Sequence, residues 1–242
     1  MSPSGPRYAV YFTPATSSPL WQFGCGIIGY DAATGAEVPL QPPAGLDWAK
    51  WRALTAEPRR YGFHATLKAP FHLAPAASEA GLLDAVASLS TRLTPAGPTV
   101  LGPNSLGSFL ALTIEGDDTA VHALAAETVL ALEPLRAPLE AADRARRLAA
   151  PLTQRQIASL DRFGYPYVLE DFRFHMTLTG PLDVPDLAPV LESIRTAYRA
   201  RVSEKPVWID GLSVLRQERR DARFRIIARF PIAPRPAQAM QP

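Results

Sequence analysis

Apolar and polar residues alternate with period two over residues 7–13: Tyr8, Val10 and Phe12 fall on one side, Ala9, Tyr11 and Thr13 on the other. That alternation predicts an opening strand. It returns over 63–68 and again over 174–179. Phe63, Ala65 and Leu67, and in the second stretch Phe174, Met176 and Leu178, make an apolar face suited to a core. The opposite faces carry His64, Thr66 and Lys68 in the first strand and His175, Thr177 and Thr179 in the second. Helical spacing takes over after each. Leu82, Val86, Leu89 and Leu93 predict a helix over 78–93, ended by Thr94-Pro95, and Val190, Leu191, Ile194 and Tyr198 predict one over 187–202. Strand pairs follow, at 99–101 with Phe109–Glu115, and at 207–215 with 224–230. Ser18-Pro19 reads as a helix start. Thr119–Leu132 and 153–163 read as further helices, the second capped by Thr153 and stopped by Gly164.

Strand, helix, strand, strand therefore occurs twice at a period of about a hundred residues, longer than the roughly 20–50 of solenoid repeats. Duplication of one β-α-β-β unit explains it. The expected fold is α+β, a single bilobal domain over 1–242 with antiparallel sheets facing a central cleft. One lobe spans about 15–135, the other about 136–231; residues 7–13 form the opening strand and 232–242 a tail. Tyr11 then faces the same cleft as the histidines.

Composition narrows the function. The 47% hydrophobic content over 242 residues supplies a large core. No run approaches the roughly 20 apolar residues that span a bilayer, and the first residues lack the layout of a signal peptide, so the expectation is a cytoplasmic location with no membrane partner. The one cysteine, Cys25, forms no internal disulfide, and no ligand spacing suggests a metal or a cofactor. A formal charge of +2 does not mark a protein that neutralises many phosphates. A small phosphorylated metabolite is favoured as partner over RNA, and the sequence leaves the oligomeric state open. The runs Arg144-Ala145-Arg146-Arg147 and Arg216-Gln217-Glu218-Arg219-Arg220 read as solvated faces or loops. Trp21, Trp48, Trp51 and Trp208 read as packing residues, His72 and His122 as surface or packing residues, and Cys25 is expected in the interior.

The recurring words Phe63-His64-Ala65-Thr66-Leu67 and Phe174-His175-Met176-Thr177-Leu178 carry the chemistry. Two imidazoles suit a displacement at phosphorus, because one takes a proton from the attacking oxygen and the other gives one to the leaving oxygen. A threonine two residues on places a hydroxyl on the same face, where it donates to a phosphate oxygen. Lys68 and Thr179 occupy the next position on each strand and would make one side of the site cationic and the other neutral. Arg173 stands two residues before His175 and could reach the phosphate. Tyr61, Tyr165 and Tyr167 are candidates for contacts to a base or ribose.

The two His-x-Thr words, with 7–12 and the wider segments 61–70 and 172–180, resemble the two-histidine (2H) phosphoesterase superfamily, the RNA ligase-like and cyclic phosphodiesterase fold. They are similar in particular to a branch associated with bacterial phosphonate-metabolism genes. The resemblance covers roughly 7–231. It implies a bilobal α+β fold with the motifs on central strands of opposite lobes. His64 and His175 would be the acid/base pair, without assignment between them, and Thr66 and Thr177 the phosphate holders. It further implies a metal-independent hydrolase acting on a small cyclic phosphodiester, such as a ribose cyclic phosphate or a phosphonate-pathway metabolite. Two alternatives stand beside it: an RNA enzyme for 2′,3′-cyclic or 2′-5′ linkages, and a non-catalytic binder of a phosphorylated or phosphonate metabolite.

Overall fold

The opening strand threads the middle of the molecule. In the computed structural model, which describes residues 5–202 and 206–233, β1 is Arg7–Phe12. Residues 234–242, most of the expected tail, lie outside the described residues. A helix α1 (Pro19–Ile28) follows, its first turn capped by the Ser18 hydroxyl accepting from Trp21 N at 3.1 Å and its end turned by Gly29 at φ 75°. Then come a short hairpin, β2 (Tyr30–Asp31) and β3 (Ala36–Glu37), and two short helices, α2 (Trp48–Leu54) and α3 (Ala56–Tyr61). The first histidine segment is β4 (Ala65–Phe71), followed by α4 (Glu79–Arg92), β5 (Ala96–Leu106), β6 (Phe109–Glu115) and α5 (Thr119–Leu132). Helices α6 (Ala141–Leu148) and α7 (Gln154–Phe163) lead to the second segment, β7 (Met176–Thr177). Helix α8 (Val184–Val202) and strands β8 (Val207–Ile209), β9 (Gly211–Gln217) and β10 (Arg225–Pro231) complete the chain.

Eight strands form one antiparallel sheet in the order β10-β9-β1-β4-β7-β6-β5-β8. The two histidine segments are neighbours at its centre. The pair β5 and β6, which follows β4 in sequence, lies beside β7, whereas β9 and β10, which follow β7, lie beside β1 and β4. Each half of the sheet thus draws on both parts of the chain, and the division at 135/136 is not a boundary in space. Helices α4, α5 and α8 pack on the sheet, and Leu82, Val86, Leu89, Val121, Leu124, Val190 and Ile194 are buried from them. Phe63, Ala65, Leu67, Phe174, Met176 and Leu178 are all at most 4% exposed, as their period-two face requires. Among the described residues, no helix is long and apolar enough to cross a membrane.

Three local departures matter. Strand β1 pairs with β9 without a break, from Arg7↔Gln217 to Tyr11↔Ser213, so Arg7, Ala9 and Tyr11 share a face. Against β4, however, Tyr11↔Thr66 is followed by Val10↔Lys68 and Tyr8↔Phe71. Strand β4 spends two extra residues there, and each such bulge turns the following side chains over. The second histidine segment is shorter than the alternation predicts. Leu178 N and Thr179 N both donate to the Leu110 carbonyl, and Leu110 N donates to the Thr179 hydroxyl, so a side chain replaces the ladder at that point. Finally, Trp21 and Trp51 are buried as expected, but Trp48 and Trp208 are about half exposed, at 51% and 49%, and do not serve the core.

Candidate functional site

The site follows from one bridging pair. Strands β4 and β7 are antiparallel with Ala65 opposite Met176. Continuing that register by one residue on each side sets His64 across from Thr177 and Thr66 across from His175. All four point to the face opposite the buried Ala65 and Met176. They line one cavity of about 510 Å³, together with Tyr11, Tyr61, Phe109, Tyr165 and Thr179. This volume lies in the range of small-molecule sites. A second cavity of about 680 Å³ adjoins it, shares Thr66, Phe109, Tyr165 and His175, and is bordered further out by Arg155, Arg173 and Tyr167.

Each imidazole is held the same way. His64 Nδ1 lies 2.8 Å from the Gly62 carbonyl and His175 Nδ1 lies 2.8 Å from the Arg173 carbonyl. A carbonyl only accepts, so Nδ1 carries the proton in both rings and Nε2 is left as the basic atom. His64 Nε2 is 3.2 Å from Thr66 Oγ1, whose hydroxyl donates to it when the ring is neutral. Tyr11 stacks flat on His64, with centroids 3.8 Å apart and planes at 21°, and Phe109 meets His175 edge-on at 5.9 Å. The Gly62 carbonyl can be aimed at His64 because Gly62 adopts φ 81° and ψ 174°, a region open essentially to glycine alone. A Cβ there would also stand 2.6 Å from that of Ala32.

Burial pushes the His64 imidazole down to about 4, against the pull of the Gly62 carbonyl and with help from the charge of His175. Burial also lowers His175 below the usual histidine range. In the protein alone both rings are therefore neutral at pH 7. An anion between them offsets the burial and favours an imidazolium.

Not every candidate reaches this cleft. Lys68 is turned away by the bulge in β4: it is 3% exposed and its ammonium donates to Glu133 Oε2 at 2.9 Å and to the Val129 carbonyl at 3.3 Å, at the end of α5. Ala69 takes its place at the cleft. The expected contrast between a cationic Lys68 side and a neutral Thr179 side does not exist in this form. The Thr179 hydroxyl borders the cavity but is engaged by Leu110 N. Arg173 is exposed and borders the outer cavity, and its carbonyl rather than its guanidinium serves His175. Tyr61 stacks on Phe224 at 5.4 Å, and Tyr165 meets Tyr167 edge-on at 5.6 Å.

The cations of the cleft lie elsewhere. Arg7, Arg146 and Arg147 line the same cavity as the histidines. The last two belong to the basic run of α6, so that run is not simply a solvated face. Position 7 was legible as the same-face partner of Tyr11; α6, with its short amphipathic run after a proline-rich connection, carried no comparable signal.

A family model described as "Protein of unknown function (DUF1045)" matches residues 66–225. The chain is 38% identical over 245 residues to "Ribose 1,5-bisphosphate phosphokinase PhnN" of Janthinobacterium sp. (strain Marseille), covering 100% of this chain and 54% of that protein. It is 36% identical over 220 residues to the protein of the same name from Laribacter hongkongensis (strain HLHK9), covering 91% of this chain and 50% of that one. The chain thus spans about half the length of these relatives. Both are named as a kinase. The sequence expectation of a hydrolase of phosphoric ester bonds, a 2H-type cyclic phosphodiesterase, is corrected by that finding.

Proposed function

The chain belongs to the DUF1045 family, and we propose that its cleft binds a small phosphorylated ribose of phosphonate metabolism and moves protons during a displacement at its phosphorus. One observation supports this reading above the rest: the Ala65↔Met176 register brings two histidines and two threonines to the lining of one cavity. The resemblance of the two His-x-Thr words to two-histidine enzymes and the sugar phosphate in the relatives' name support it. Phosphoryl transfer to any acceptor needs the same two services, removal of a proton from the incoming oxygen and stabilisation of charge on the outgoing one.

His64 serves as base. It is the more strongly depressed ring, so its Nε2 stays free to accept. His175, depressed less, is protonated as the anionic substrate enters and donates from Nε2 to the leaving oxygen. Thr66 and Thr177 hold the phosphoryl oxygens. Tyr11 and the Gly62 carbonyl keep the His64 ring from rotating.

The test is product analysis by ³¹P NMR with ribose 1,5-bisphosphate, ribose monophosphates and ribose cyclic phosphates. These are incubated in EDTA and again with Mg²⁺ and a nucleoside triphosphate. The reading expects conversion of at least one compound, reduced about 10²- to 10⁴-fold by His64→Ala and by His175→Ala. Conversion that survives both substitutions contradicts it, as does folded protein that converts none.

A further inference from the structure

The strongest unexplained feature of the cleft is a pair of guanidinium groups, Arg7 and Arg147, that have no carboxylate partner among the described residues. Arg147, half-buried on α6, stacks over the ring of Tyr165 at 5.0 Å. Its Nε is buried and has no hydrogen-bond partner among the described residues. Arg7 is half-buried and donates from Nε to Gln217 Oε1 at 2.8 Å, and from a second N–H to the same oxygen. Gln217 is 1% exposed and is itself fixed by donating to the Ala222 carbonyl at 2.7 Å and to the Arg220 carbonyl at 3.3 Å. A neutral amide therefore orients the Arg7 guanidinium without cancelling its charge. The carboxylate nearby is engaged by others: Asp143 takes Arg220 through both oxygens, at 2.8 and 2.7 Å, and Arg146 at 2.8 Å. Burial accordingly pulls both Arg7 and Arg147 below the usual arginine range. Partly buried cations left without a counter-charge are costly, and a planar fork of N–H donors matches a phosphate.

Position completes the argument. On the unbroken strand β1, Arg7 and Tyr11 share a face with their backbones roughly 13 Å apart, and Tyr11 lies flat on His64. The same cavity of about 510 Å³ touches both ends. We propose that Arg7 and Arg147 form a second anion subsite, which holds a phosphate monoester at one end of a sugar while the histidine pair acts on the phosphate at the other. The substrate class is then a doubly phosphorylated pentose rather than a singly phosphorylated one. This inference rests on the reading above for what happens at the histidines, but its own readout is binding.

Calorimetric titration in a His175→Ala background, which suppresses turnover, compares ribose 1,5-bisphosphate with ribose 1-phosphate and ribose 5-phosphate. The subsite predicts that the bisphosphate binds about 10- to 100-fold tighter than either monophosphate. Arg147→Met and Arg7→Met should each erase most of that preference, and Arg147→Lys should keep part of it. Equal affinities for all three compounds overturn the proposal, as does a preference that survives both methionine variants. A preference that depends on the arginines, in a protein whose turnover ignores both histidines, upholds the subsite and refutes the histidine chemistry.

Discussion

Replacing Glu133 by alanine should destabilise the protein by about 3 kcal/mol without touching the cleft. Lys68 is the reason. Its ammonium is buried, with 4% of the side chain exposed, and its one carboxylate partner among the described residues is Glu133 at 2.9 Å. Removing one member of a buried pair typically costs about 3–5 kcal/mol, because the other charge stays behind. The lower end applies here: the Glu133 side chain is 22% exposed and the Val129 carbonyl still accepts from Nζ. In a chain of this size about 3 kcal/mol lowers Tm by about 6–12 °C. The penalty has a signature in pH. Burial already pulls the Lys68 ammonium down, and losing the carboxylate pulls it further. The unfolded chain then binds the proton that the folded variant has released, so stability recovers as pH rises toward the ordinary lysine range. Lys68→Met, which removes the charge instead of orphaning it, should be close to neutral in stability and in turnover. Urea unfolding across pH 6–10, beside activity assays, measures all of this. A Glu133→Ala protein as stable as the parent, or a Lys68→Met protein that is stable but inactive, would refute the placement of Lys68 behind the sheet.

Three further outcomes are expected. Gly62→Ala should lower turnover at least tenfold and destabilise the fold by about 1–3 kcal/mol, since alanine cannot hold the backbone that aims the carbonyl at His64; kinetics with thermal unfolding checks both. The pH profile of kcat/KM should be a bell with its maximum below pH 6.5, because His64 loses its proton near 4 and His175 below the usual histidine range; a flat profile, or a maximum above pH 7.5, would contradict the assignment. Stability should fall as pH drops from about 6.5 toward 4, where the unfolded chain takes up a proton that His64 resists, and His64→Leu should flatten that slope in denaturant titrations.

The elements with strong periodicity were legible. Phe109–Glu115 and Thr119–Leu132 have the limits their alternation and 3.6-residue spacing imply, and Thr153 and Gly164 bound a helix with a capping box. Local rules failed where tertiary contacts intervene. Nothing in the run Ala65-Thr66-Leu67-Lys68 announces a bulge, which shows only in the pairing of β4 with the distant strand β1. A period-two reading therefore put Lys68 in the cleft. The interleaved sheet order is likewise invisible to a repeat, which records that two units are alike but not which half completes which. That the four motif residues share one cavity was legible because both copies keep the same offset from an apolar strand face. The place of Arg147 at the cleft was not legible because it depends on the fold of α6 over Tyr165.

The central claim is that one imidazole stays neutral while the other is protonated around a bound phosphate. Nitrogen-15 NMR of histidine-labelled protein at pH 7 reads it directly, with His64→Ala and His175→Ala assigning the signals. In the protein alone both rings should show the neutral form with the proton on Nδ1. Saturation with ribose 1,5-bisphosphate should convert His175 to imidazolium and leave His64 neutral. Saturable binding that leaves the protonation of both rings unchanged would contradict the account.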